Sequence, residues 1–215
     1  MKSIILSLLL LCLCSVPLAA QEPAKPGHFD YYLLDLSWSP AFCDHLSSSP
    51  QCSAHPGFVL HGLWPQNVNG TWPANCDGHQ PGPTNLSQWL GMTPDLSLLK
   101  HEWSKHGTCT QMTGNEYFMQ ESKAYQSIHI PPLFTTLHHK AEMKPSEIVN
   151  LFVASDPRLG ADNLNVRCYD HRLTAIDVCL NKALNPTSCT ALRKCEAEKV
   201  MVLPPSANKA QGLSH

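Results

Sequence analysis

The sequence predicts an α+β fold: a central antiparallel β-sheet packed with several α-helices and cross-linked by four disulfides. Three observations lead there. Strand-like runs lie early in the chain, at "HFDYYLLDLSWSPAFC" and "GFVLHGLWP", and again late, at "NLNVRCYDHRLTAIDVCL". Helix-like segments fill the middle, so strands and helices do not alternate as a doubly wound α/β sheet requires. Finally, eight cysteines follow an export-type leader, which reads as a disulfide framework formed in an oxidising compartment.

The elements are justified in chain order. Lys2 precedes the apolar run "SIILSLLLLCLCSV", which is followed by Pro17 and the small residues Ala19 and Ala20, the order of a secretory signal peptide over residues 1–20. The run is short for a membrane span of about 20 residues. Cys12 and Cys14 leave with the leader. Residues 21–215 are long enough for a single domain with a substantial core, with an irregular tail after residue 200.

The first strand run ends at a proline turn. In the second, Phe58 and Leu60 point one way, Val59 and His61 the other. Gln66 to Pro83 is rich in Gly, Pro and Asn and reads as a long loop. "TPDLSLLKHEWSKHG" reads as a helix with Thr93 as cap, Pro94 at its first position and Gly107 at its end. "GNEYFMQESKAYQS" and "KPSEIVNLFVAS" are two further helices, and the late run alternates as a closing hairpin. Trp38 and Trp72 read as core or loop packing. Asn69 and Asn85 begin sequons that an exporting eukaryotic host can glycosylate.

Formal net charge is −2 with histidines neutral, so there is no strong basic footprint for nucleic acid at pH 7. All 12 histidines follow the leader, however. Near pH 5 exposed imidazoles protonate, which makes the protein cationic and suits an anionic substrate in an acidic setting.

The densest chemistry lies in "HEWSKHGTC", residues 101–109. A zinc protease helix needs histidines four apart; His101 and His106 are five apart, about 140° around a helix. Cys109 belongs to an even set in an exported chain, so it is expected in a disulfide and not as a nucleophile. No Gly-x-Ser-x-Gly elbow is present. Glu102 and His106 can meet on one face, as can His101 and Lys105. A carboxylate beside a histidine raises its pKa and orients it, and flanking cations suit an anion such as a phosphate. Taken alone, the segment fits a solvated charged helix face better than a site. His61, on a separate apolar strand, adds a second histidine, and two imidazoles on two rigid elements are what metal-free in-line phosphoryl transfer requires.

"FVLHGLWPQ" and "KHEWSKHGTC" resemble the two active-site segments of the ribonuclease T2 family, secreted acid endoribonucleases that include the plant self-incompatibility ribonucleases. "LDLSWSPAFC" resembles the family's first core strand, and together the matches cover most of residues 29–195. The resemblance implies that His61 and His106 perform acid–base catalysis, with His106 as base and His61 as acid in the first step. It implies that His101 holds the phosphate and that Glu102 and Lys105 stabilise the phosphorane-like transition state. Trp64 corresponds to an aromatic of the first base pocket. Gln66 replaces an acidic residue that helps read adenine in many relatives, and Ser37 stands where some carry a base-binding glutamine. The family pattern also implies disulfides Cys43–Cys52, Cys76–Cys109, Cys168–Cys195 and Cys179–Cys189.

The expected substrate is single-stranded RNA, cleaved with low base specificity through a 2′,3′-cyclic phosphate to 3′-phosphate products. No metal or cofactor is expected, nor any membrane association after leader removal, and the protein is expected to be a secreted monomer, extracellular, periplasmic, vacuolar or lysosomal according to the host. The rival reading is a family member that binds or signals with little catalysis. A glycosidase using Glu102 with Asp35 or Asp77 is more distant.

Overall fold

The computed structural model describes residues 25–53 and 57–205; the leader expected at 1–20 lies outside them. In chain order the elements are β1 (Tyr31–Trp38), α1 (Ser39–His45), α2 (Pro50–Ser53), β2 (Phe58–Gln66), α3 (Leu96–Lys105), α4 (Gly114–Gln126), α5 (Leu133–Thr136), β3 (Ala141–Met143), α6 (Pro145–Ser155), β4 (Leu164–Tyr169), β5 (Arg172–Leu180) and β6 (Val200–Val202). Short 3-10 turns lie at Leu86–Trp89, Gly107–Cys109 and Ala161–Asn163. The strands form one six-stranded sheet in the order β2-β1-β5-β6-β3, with β4 also paired to β5. Pairing is antiparallel except for the short β5–β6 contact at Arg172 and Met201, which is parallel.

β1 is buried on both faces, so its alternation separates core from site. Tyr32, Leu34, Leu36 and Trp38 enter the main core with Phe58, Leu60, Phe118 and Phe152. Tyr31, Leu33, Asp35 and Ser37 occupy the opposite face, where Tyr31 and Leu33 join a small cluster with Cys179, Trp64 and Leu192. β2 keeps the expected alternation only as far as His61. Asp35 pairs with Gly62 while Leu36 pairs with Leu60, so His61 is the extra residue of a β-bulge. After the bulge Leu63 returns to the core, and Trp64 falls on the same face as His61.

β2 is an edge strand, and its outward polar groups at Phe58, Leu60 and Leu63 find partners. Leu60 N donates to Met92 O, and Thr93 Oγ1 donates to Leu60 O at 2.8 Å. Leu63 N donates to Glu121 Oε1 at 2.9 Å, Leu63 O accepts from Tyr117 Oη, and Phe58 O accepts from Tyr125 Oη. Helix α4 therefore covers an edge that would otherwise template pairing with another chain.

One helix start differs from expectation. Thr93 does not cap α3; its hydroxyl is committed to Leu60. The cap is Asp95, whose carboxylate accepts from Ser97 N and Leu98 N, which moves the start to Leu96 and leaves Pro94 outside the helix. The other two helices begin where the sequence places them, α4 with the Thr113–Glu116 capping box and α6 with Pro145 in its first turn. The β4–β5 hairpin turns through Asp170 and His171, both in the left-handed region. All four disulfides form in the pairing the family pattern implies.

Candidate active site

His61 projects from the β2 bulge, and Glu102, Lys105 and His101 project from α3, while His106 caps that helix. These five side chains line one cleft of about 560 Å³ together with Trp64 and Gln66. Cys76–Cys109 holds the end of α3 to the long loop, reinforced by Asn75 N donating to Lys105 O at 2.8 Å. Gly107 lets the chain leave the helix tightly, because a Cβ there would lie 2.3 Å from the Trp103 ring.

Trp64 is the hub. His106 stacks on its ring at 5.1 Å between centroids and 22° between planes, and His61 meets it edge-on at the same separation and 81°. Trp64 Nε1 donates to Glu102 Oε2 at 2.6 Å, and the Arg167 guanidinium lies over the ring, 5.6 Å from its centroid. The other oxygen of Glu102 lies 3.5 Å from His61 Nε2.

Glu102 therefore addresses His61 and not His106, the partner that helical spacing alone suggested. The expected rise in histidine pKa is also reversed. Burial, with repulsion from Lys105, His101 and His61, pushes His106 down to about 3. Burial, then repulsion from His101 and Lys105, pushes His61 down to about 4. Burial raises Glu102 to about 7, against the hydrogen bond from Trp64 and the attraction of Lys105, which both lower it. At mildly acidic pH the protein thus holds a proton on Glu102 while His106 is neutral.

Beneath His61 lies a polar row. Asp35, Asp177 and Asn165 stand side by side on β1, β5 and β4, in direct register. Asp35 and Asp177 are almost fully buried, and Arg167 bridges them, pairing with Asp35 Oδ2 and lying 3.3 Å from Asp177 Oδ1. Asn165 Nδ2 donates to Asp177 Oδ2 at 2.9 Å. Burial still holds the Asp177 carboxyl above its usual range. Ser37 Oγ lies 3.3 Å from Asp35 Oδ1 and 3.2 Å from His61 Nδ1.

Ser37 does not line the cleft that holds Trp64 and Gln66. It borders a second hollow on the other flank of His61, formed with Phe42, Leu98 and His101. Trp38 is fully buried in the core. Trp72, read from sequence as packing, is instead 57% exposed and lines the cleft; its glycine- and proline-rich loop offers no core to enter. Arg167, Asp177, Asn165 and Arg193 also line the cleft, and sequence reasoning did not single them out. A signal existed for two of the residues beneath it. Asp35 and Asp177 each interrupt an apolar strand, and a carboxylate there needs a buried partner. Asp77, of the glycosidase reading, lies in a separate surface hollow with His79 and Gln111. Among the described residues, no group of three or more His, Cys, Asp or Glu side chains converges as metal ligands.

The model of the ribonuclease T2 family matches residues 29–189. A ribonuclease of Aeromonas hydrophila is 36% identical over 146 residues, covering 67% of this chain and 67% of that protein. Ribonuclease DdI of Dictyostelium discoideum is 27% identical over 209 residues, covering 86% and 89%. Among solved structures, ribonuclease MC1 from the seeds of bitter gourd superposes with a TM-score of 0.63 at 24% identity, covering 80% of this chain and 99% of that one. An RNase-related protein from Calystegia sepium gives 0.64 at 24% identity, covering 82% and 97%, a likeness of fold. With this fold and these sequence relatives, the protein is an RNA-cleaving enzyme. It belongs to the ribonuclease T2 family.

Proposed function

We propose that the protein is an exported, metal-independent endoribonuclease that cleaves single-stranded RNA by transphosphorylation with low base specificity. The observation that carries this reading is the placement of His61 and His106, from two different elements, against one indole in one cleft with Glu102 and Lys105. His106, kept neutral, takes the proton from the ribose 2′-hydroxyl. That oxygen attacks the adjacent phosphorus as the P–O5′ bond breaks. His61 delivers a proton to the departing O5′ from its Nε2, the nitrogen that faces Glu102. Burial, then repulsion from His101 and Lys105, lowers His61 in the free protein; the incoming phosphate sets negative charge against both effects, so the proton held between Glu102 and His61 moves to the imidazole. Lys105 and His101 supply positive charge to the phosphorane-like transition state. Products are a 2′,3′-cyclic phosphate and a 5′-hydroxyl, followed by hydrolysis to a 3′-phosphate with the two histidines in exchanged roles. DNA lacks the attacking hydroxyl and is not cut.

Two hollows flank His61, one with Trp64, Trp72 and Gln66, the other with Phe42 and Leu98. Each suits one base on either side of the scissile phosphate, and stacking accepts every base. The same reading takes 21–215 as one catalytic domain, released from the leader and active as a monomer.

The test is digestion of a single-stranded RNA at pH 5 in excess EDTA, with products identified by mass spectrometry. Cyclic-phosphate products that disappear in His61→Ala and in His106→Ala are the expected result. Full activity in both variants would overturn the assignment, and EDTA-sensitive cleavage would overturn metal independence.

A further inference from the structure

We infer that Asp35, acting through the Ser37 hydroxyl, fixes His61 in the tautomer that carries its hydrogen on Nδ1 and leaves Nε2 to exchange the catalytic proton. The inference rests on the reading above, in which His61 transfers a proton, and makes Ser37 and Asp35 positioning residues.

The argument is one of donors and acceptors. Asp35 is fully buried, and its Oδ2 is paired with the Arg167 guanidinium, which leaves Oδ1 as the oxygen that accepts from the Ser37 hydroxyl. Its Oδ1 is 3.8 Å from His61 Nδ1, too far for a direct hydrogen bond, and Ser37 Oγ stands between them. A hydroxyl has one hydrogen. With that hydrogen on Asp35 Oδ1 at 3.3 Å, Ser37 offers only a lone pair to His61 Nδ1 at 3.2 Å, so Nδ1 must be the donor. Nε2 is left toward Glu102 Oε1 at 3.5 Å and toward the cleft. The arrangement follows from strand geometry: residues 35 and 37 share one face of β1, and the bulge turns His61 onto them.

The other charged groups around His61 cannot fix the ring this way. His101, Glu102 and Lys105 face it from α3, and His106 from the end of that helix. Arg167 on β4 reaches it only through Asp35. None of them reaches Nδ1, which is the atom that must be held if Nε2 is to transfer the proton. The position of Ser37 also explains why a short hydroxyl side chain serves here: it spans the gap between a buried carboxylate and a half-buried imidazole.

The experiment combines imidazole ¹⁵N NMR of His61 with the pH profile of cleavage of a dinucleotide substrate. In the wild-type protein at pH 7, neutral His61 is expected in the Nδ1–H form, and in Ser37→Ala it is expected to revert to Nε2–H. Ser37→Ala is expected to lower kcat about tenfold to a hundredfold, with KM changed less than about threefold. It should also move the limb governed by His61 about 0.5–1 unit toward lower pH, because the imidazolium loses an acceptor. Ser37→Thr, which retains the hydroxyl, is expected to restore most of both. Asp35→Asn should move the same limb further in the same direction. If that variant fails to fold, Ser37→Ala still decides, since it leaves the Asp35–Arg167 pair intact. An Nε2–H tautomer in the wild type, or a Ser37→Ala variant altered only in KM or base preference, overturns the inference while leaving the proposed function standing. Full activity in His61→Ala overturns both.

Discussion

Trp64 Nε1 donates a 2.6 Å hydrogen bond to Glu102 Oε2, joining the bulged strand β2 to helix α3 across the floor of the cleft. The contact depends on the absence of a side chain between them. A Cβ on Gly62 would lie 2.2 Å from Glu102 Oε2 and 2.3 Å from Trp64 Nε1. Gly62→Ala is expected to break the pair, cost about 1–3 kcal/mol in stability, and lower kcat for RNA about a hundredfold or more. Urea denaturation and steady-state kinetics check the two effects. A variant with wild-type kcat would show that the contact is dispensable.

The buried ionisable groups make stability depend on pH in two opposed windows. Glu102 and Glu121 are raised, to about 7 and about 8, chiefly by burial, so the folded state holds their protons more tightly than the unfolded chain does. Their contribution is complete below the unfolded carboxyl pKa near 4.5 and is lost as pH rises through 7 and 8. His61 and His106 are lowered, to about 4 and about 3; their contribution is complete above the unfolded value near 6.5 and is lost as pH falls through 4 and 3. Maximum stability is expected between about pH 5 and 6. Melting temperature measured from pH 3 to 9 tests this.

Glu121→Gln isolates the alkaline arm. The amide oxygen can still accept from Leu63 N, which now donates to Glu121 Oε1, but no carboxyl remains to ionise in the core. The variant should resist the loss of stability between pH 6 and 8.5 by a few kcal/mol at most, about 1.4 kcal/mol per pKa unit. Equal pH dependence in the two proteins would place the loss elsewhere.

Trp72 and Trp38 provide a contrast of residue type against position. Trp72→Ala removes an exposed ring from the cleft and is expected to raise KM for RNA about five- to thirtyfold, with little change in melting temperature. Trp38→Ala empties a fully buried site and is expected to cost about 3–5 kcal/mol. A Trp72→Ala variant with unchanged KM would remove that ring from the base-binding surface.

Loss of the Cys76–Cys109 bond is expected to affect stability and site together. The bond closes a segment with a sequence separation of 33 and holds the end of α3. Changing both cysteines to serine should cost about 3–4 kcal/mol by the loop-entropy estimate, with kcat falling at temperatures well below the new melting point. A variant that is destabilised but fully active at low temperature would show that the bond does not position His106.

Much of this was legible along the chain because it is local. The apolar runs, the capping box at Thr113–Glu116, Pro145 and the hairpin residues each write their structure within a few positions. The α3 start was displaced for a non-local reason: Thr93 is an adequate cap in isolation, but Leu60 claims its hydroxyl. The family resemblance brought His61, His101, Glu102, Lys105 and His106 to attention as residue types in two short segments, yet not how they face one another.

That facing was decided in three dimensions. A strict two-residue period places His61 and Trp64 on opposite faces of β2, and one inserted residue in the register brings both to the cleft. Helical spacing paired Glu102 with His106, whereas the neighbouring strand gives it Trp64 and His61. Ser37 and Asp35 on β1 and Arg167 on β4 come together only because β5 pairs with both strands and sets the three side chains on one face of the sheet. The sequence by itself determined most of the elements, the cysteine count and the residue types carried by the two segments that meet in the cleft. Tertiary structure decided their partners, their burial and therefore the direction of the pKa shifts at His61, Glu102 and His106, because strand register and desolvation depend on residues far apart in the chain.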